Sequence, residues 1–155
     1  MLKLAEYTQI PVITTIMGKG SIPTTHDLYL GNIGIHGSYA ANHAVSECDV
    51  LFSIGTRFND RITGKISEFA KHAKIIHIDA DSASISKNIV VDIPIVADAK
   101  LAIEKLLEYV SPSKAEKWLE QVTEWKKANP INMDKYEGLT PEKVIRYINE
   151  NIKHP

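Results

Sequence analysis

Short runs rich in β-branched residues recur along the chain without the polar and apolar alternation of a half-exposed strand: Pro11 to Thr15, Val50 to Ile54, Ile75 to Asp79 and Ile93 to Val96. A strand that is apolar on both faces must be covered on both, and the usual solution is a parallel sheet with helices above and below it. The intervening segments supply those helices. Ser38 to Glu47 is rich in alanine, Lys65 to His72 carries helix formers, and Ala99 to Val110 puts Ile103, Leu106, Leu107 and Val110 on one face. The alternation predicts an α/β fold: a parallel sheet flanked by helices.

Asp98 stands where it can cap the last of these helices, and Pro112 stops it two residues after its final apolar position, so the α/β unit closes near Val110. Beyond it, Ser113 to Ala128 aligns Trp118, Val122 and Trp125 on one stripe, which predicts a bridging helix packed on the preceding unit. A polar stretch broken by Pro130 and Gly138 follows. Thr140, Pro141 and Glu142 then open a final helix with Val144, Ile145, Ile148 and Ile152 on one face. At the other end, Leu2 to Thr8 reads as the last turns of an amphipathic helix leading into the first strand. Such a helix normally follows a strand of its own, so the expectation is a sheet that lacks its first strand.

Composition removes several classes of function. The 155 residues carry 18 Lys plus Arg against 19 Asp plus Glu, a formal charge of -1, which leaves no basic excess for a phosphate backbone and argues against nucleic acid as a partner. Cys48 is the single cysteine, so a disulfide framework and multi-cysteine metal sites are excluded and a reducing, cytoplasmic setting is expected. No apolar run approaches the roughly 20 residues of a membrane span, so no membrane partner is expected. The six histidines lack the H-E-x-x-H spacing of a zinc helix, there is no G-x-S-x-G elbow and no Walker loop, and no metal site is predicted.

Ligands of open parallel sheets bind beyond the carboxyl ends of the strands. The first such loop holds Thr15, Ile16, Met17 and two glycines, and Gly31 to Gly37 offers three more glycines just ahead of the alanine-rich helix. Glycines permit close backbone approach to a ligand, but an ordinary turn explains them equally well. After Ile54 come Gly55, Thr56, Arg57, Phe58, Asn59, Asp60, Arg61 and Ile62. Two arginines four residues apart could clamp a diphosphate, or could pair with Asp60 and nearby carboxylates on a solvated loop. Asp79, at the end of its strand, could accept hydrogen bonds from ribose hydroxyls, while Asp79, Asp81 and Asp98 could equally cap short helices. All these groups fall on one rim, where a ligand with both phosphate and ribose would use them together.

Four stretches, in order and with matching spacing, carry a resemblance to a known family: PVITTIMGKG (11 to 20), GNIGIHG (31 to 37), IGTRFNDRITGK (54 to 65) and HIDADS (77 to 82). They resemble the central domain of acetolactate synthase catalytic subunits, a family of thiamine-diphosphate-dependent enzymes. The resemblance implies a Rossmann-like FAD-binding domain over 1–110, a bridging helix and linker over 111–138, and the start of a thiamine-diphosphate-binding domain over 139–155. It puts Thr15, Ile16 and Met17 beside the flavin, with Gly34, Ile35 and His36 lining the same cofactor. Gly55, Thr56, Arg57, Asn59, Arg61 and Ile62 would hold the diphosphate and ribityl region, Asp79 and Ala80 the adenosine end, with Asp98 and Ala99 nearby. Asn59 stands where the family more often has aspartate, and the amide keeps an acceptor.

The full enzyme of that family condenses pyruvate with a second 2-keto acid in branched-chain amino-acid synthesis, using thiamine diphosphate and magnesium. Its catalytic glutamate and its Gly-Asp-Gly metal motif lie in the flanking domains, so no catalytic residue is expected within this sequence. Implied partners are FAD, the remaining domains of the same enzyme, further copies in a homo-oligomer and a regulatory small subunit. Glyoxylate carboligase or pyruvate oxidase relatives would give the same central domain a different substrate, and a ligand-free scaffold is the reading from another class.

Overall fold

The computed structural model describes residues 1–112, 115–130 and 136–152. Among the described residues five strands and six α-helices follow in the order α1 (Leu2–Thr8), β1 (Val12–Thr14), β2 (Tyr29–Asn32), α2 (Tyr39–Glu47), β3 (Val50–Ile54), α3 (Asp60–Thr63), β4 (Lys74–Asp79), β5 (Ile93–Val96), α4 (Ala99–Leu106), α5 (Glu116–Ala128) and α6 (Pro141–Asn151). Every strand pair is parallel, as the unalternating apolar runs require. The strands fall into two sheets, β1-β2 and β3-β4-β5.

No strand pairing links the two sheets among the described residues. Val12 N–H donates to Leu28 C=O and Thr14 C=O accepts from Ile33, so the peptide groups of Ile13 between them turn to the opposite edge of β1. On β3, Asp49 C=O and Gly55 N–H bond to Lys74 and Ile78, which by the same alternation leaves Val50, Phe52 and Ile54 facing away from β4. β1 and β3 therefore each turn one backbone edge away from the strand they pair with. At the far side, Ala97 N–H donates to Asp79 C=O and Pro94 lies opposite His77, with its nitrogen turned outward.

Helix α2 joins the two halves. Ser38 caps it by accepting from Ala41 N–H and donating to Leu30 C=O, which pins the helix start to β2. Ala40, Ala41 and Ala44 are buried with Leu30 and Val122 in one cluster, whereas Val45, next along the helix, joins Phe58, Ala70, Ile75 and Ile89 in another. Ile13 touches both clusters. The stripe of Trp118, Val122 and Trp125 packs as expected: α5 lies on α2 and β2, Val122 is 1% exposed, and the two tryptophans flank it in an edge-to-face pair. Ser113, where that helix was expected to begin, lies outside the described residues.

Two expectations need correction. Tyr29–Asn32 is a strand that the sequence hid, because half of it is Gly31 and Asn32; Gly31 is tolerated because Ser38 Oγ occupies the space a Cβ would need. Lys65 to His72 is not an α-helix. It forms one 3₁₀ turn, Ile66–Glu68, after which Phe69 turns extended and Ala70 left-handed. That path sends Ala70 into the core and Phe69 edge-on against Phe58. Burial here outweighs local helix propensity. Helix α4 holds Ile103, Leu106, Leu107 and Val110 half-buried as expected, although its regular part ends at Leu106. Helix α6 starts at Thr140, whose hydroxyl accepts from Lys143 N–H, and its apolar residues are solvent-exposed.

The difference between the last two helices is measurable. Val122→Ala should lower unfolding free energy by about 2 kcal/mol in urea titration, while Ile145→Ala on α6 should stay within about 0.5 kcal/mol of the parent.

Candidate functional site

Parallel pairing puts the carboxyl ends of β3, β4 and β5 side by side, and a separate contact brings the β2 end to the same rim. Gly34 has a φ of +109° and packs so tightly on Arg61 that a Cβ would collide with the Arg61 carbonyl oxygen. Ile35 N–H donates to that same carbonyl at 3.0 Å. The loop after β2 is thus seated on the loop after β3. Asn88, in the segment beyond β4, donates to Arg57 C=O at 2.9 Å and ties the β3 loop to the next one.

Among the predicted residues, Gly34, Ile35, Arg61 and Ile62 are brought into one junction. Gly55 N–H bonds Ile78 C=O, one residue short of Asp79, and Ala97, bonded to Asp79, precedes Asp98. Thr56 and Ile62 are half-buried, and Arg57, Asn59 and Arg61 are exposed. Among the described residues neither Arg57 nor Arg61 forms an ion pair, so the reading in which they pair with Asp60 is not what the structure shows. Asn59 caps α3 through its backbone carbonyl alone, without a side-chain cap bond. Thr15 accepts from Gly18 N–H, while Ile16 and Met17 are 76% and 90% exposed on the loop after β1. Ile35 and His36 are exposed as well.

The acidic residues divide. Asp98 takes the capping role, with Oδ1 accepting from Lys100 and Leu101 N–H ahead of α4, and Ala99 is the first residue of that helix. Asp81 likewise caps the 3₁₀ turn Ser82–Ser84. Asp79 caps nothing: its Oδ1 accepts from Asp81 N–H at 2.8 Å, and its half-buried carboxylate lies beside exposed Ala80. Cys48 is a structural thiol, pushed up to about 11 by burial and by the neighbouring Asp49 carboxylate.

One residue near Asp79 carries no signal in the sequence beyond its place in an apolar run. His77 is 0% exposed, and among the described residues neither ring nitrogen meets a partner at good hydrogen-bonding geometry. It stands opposite Ser53 on β3, whose buried hydroxyl is likewise unpartnered. Phe58, at a φ of 47°, covers His77 edge-on with ring centres 5.1 Å apart, and Asp79 Oδ2 is 3.7 Å from Nε2. Burial holds the imidazole below its ordinary 6.5, against the opposing pull of Asp79 and the Thr56 backbone. The native state thus keeps His77 neutral while the unfolded chain takes up a proton. Its contribution to stability is complete above about pH 6.5 and is lost as the pH falls through the lower native value. Urea midpoints measured from pH 7.5 to 5 should decline, at most about 1.4 kcal/mol per pH unit from this group, and His77→Leu should flatten that slope.

Residues 1–106 match the model of the thiamine pyrophosphate enzyme central domain. A Methanocaldococcus jannaschii protein described as a probable acetolactate synthase large subunit is 53% identical over 86% of this chain and 23% of its own length. A second protein so described, from Methanococcus aeolicus, is 47% identical over 94% of this chain and 26% of its own length. The acetolactate synthase large subunit of Cyanidium caldarium is 41% identical over 96% and 27%. The chain thus spans about a quarter of the length of the curated relatives it matches. No helix among the described residues is long and apolar enough to cross a membrane. By the match over residues 1–106, the chain belongs to the thiamine pyrophosphate enzymes, through their central domain.

Proposed function

We propose that this chain is the FAD-binding central region of an acetolactate synthase large subunit, whose whole enzyme condenses pyruvate with a second 2-keto acid. The observation that carries the cofactor reading is the rim itself. Two guanidiniums that find no ion-pair partner among the described residues stand on a loop that packs, through Arg61, against a glycine with no room for a side chain. Charge-assisted bonds from Arg57 and Arg61 suit a diphosphate. Gly55, Thr56, Asn59 and Ile62 complete that stretch, and Asp79 with Ala80 suits the adenosine end. Asp98 and Ala99 form the neighbouring strand end. Ile16, Met17 and Ile35 offer exposed apolar surface to a flavin ring, with Thr15, Gly34 and His36 beside them. The carbanion chemistry of such an enzyme comes from thiamine diphosphate with magnesium, and the flavin serves a mainly structural purpose.

In this reading, 1–110 is the cofactor-binding unit, 111–138 the bridge and 139–155 the beginning of the thiamine-diphosphate-binding domain. Its partners are FAD, the other domains of the enzyme, further copies and a regulatory small subunit, in a cytoplasmic setting. Titrating the purified chain with FAD should quench flavin fluorescence and raise thermal stability. Arg57→Ala and Arg61→Ala should each weaken affinity about tenfold or more, without changing the midpoint of the ligand-free chain, because both side chains are exposed. Unchanged FAD affinity in both variants would sink the reading.

The open edges of β1 and β3 favour self-association. Sedimentation should show a dimer or larger assembly, and a monomer at every concentration would contradict it.

A further inference from the structure

Asn42, in the second turn of α2, makes two hydrogen bonds to a single residue. Its Oδ1 accepts from Gly34 N–H at 2.9 Å, and its Nδ2 donates to Gly34 C=O at 2.9 Å. The side-chain amide thereby engages both backbone groups of Gly34, as a paired residue in an antiparallel ladder would. Only a group with a donor and an acceptor at this spacing can do so, and the two bonds together fix which way the amide points. Gly34, so held, abuts the Arg61 carbonyl, to which Ile35 N–H donates. A continuous path of short contacts runs from the helix to the loop after β2 and on to the loop after β3.

We propose that Asn42 is a positioning residue: it fixes the backbone of Gly34 and Ile35 against Arg61 and so sets the flavin-side wall of the site. This rests on the FAD reading for the identity of the ligand, and on the geometry alone for the tether. The helix does not need Asn42 to stay in place. Ser38 pins its start to Leu30, and Ala40, Ala41 and Ala44 bury its inner face. What Asn42 holds is the loop. In its absence Gly34, with the conformational breadth of glycine, would lose two of the bonds that hold it at a φ of +109° and keep only that from Gly37 N–H to its carbonyl. The Ile35 to Arg61 bond, which Asn42 does not itself make, would then loosen. Asp79, the last residue of β4, and Ala80 after it have no part in this path.

Backbone amide exchange in the ligand-free chain tests the tether, and binding tests its role. Asn42→Ala should speed exchange at both Gly34 and Ile35 about tenfold, with Ile76 and Ile78 in the β3–β4 ladder unchanged. FAD affinity should fall at least about fivefold while AMP, which reports only the adenosine end, binds as before. Asn42→Asp keeps an acceptor for Gly34 N–H and places a carboxylate oxygen against Gly34 C=O, so it should restore protection at Gly34 alone; it also serves should the alanine variant not fold. Parent-like exchange at Ile35 with undiminished FAD affinity would overturn the proposal, as would equal losses of FAD and AMP. A parent chain that binds AMP but neither FAD nor FMN would overturn the flavin reading, and the exchange data would still decide the tether.

Discussion

How closely α2 can lie against two sheets at once governs the rest of the molecule. Its inner face is alanine at Ala40, Ala41 and Ala44, and these small side chains let the helix axis approach the strands at short range while Val45 reaches the second cluster. A larger residue in the alanine face would lift the helix and separate the loops that start and end on it, since close-packed interiors do not absorb added volume cheaply. Distance between helix and sheet thus becomes distance between loops.

From that constraint follows the character of the rim. Its parts are joined by backbone bonds, at Ile35 to Arg61, Gly55 to Ile78 and Ala97 to Asp79, with Asn88 adding one side-chain link. The charged side chains are left over for something else. A near-neutral chain can still present two guanidiniums and a half-buried carboxylate at one edge, because net charge averages over a surface and a ligand does not.

The fold was legible where hydrophobic pattern and backbone agree. Val50 to Ile54 and Ile93 to Val96 are strands at the expected residues, and the caps at Asp98 and Thr140 mark helix starts that side-chain chemistry makes obvious. It was illegible where tertiary contact overrides local preference. Gly31 lies in a strand because Ser38 fills its side, and Ala70 turns left-handed because burial with Phe58 draws it inward. The candidate site shows the same division. Arg57 and Arg61 stand out by charge and spacing, whereas His77 and Asn42 are ordinary members of a strand and a helix until register places one beneath Phe58 and the other against Gly34. Such roles belong to the folded neighbourhood, and no local pattern announces them.

Pro94 lies on β5, at the outer margin of the larger sheet. With its nitrogen turned away from β4, it interrupts no ladder bond within the molecule and removes one donor from the exposed side of β5. A strand arriving there would find a gap where a continuous ladder needs a bond. Open-ended edge-to-edge extension of the sheet, the route to fibres, is therefore discouraged on that flank.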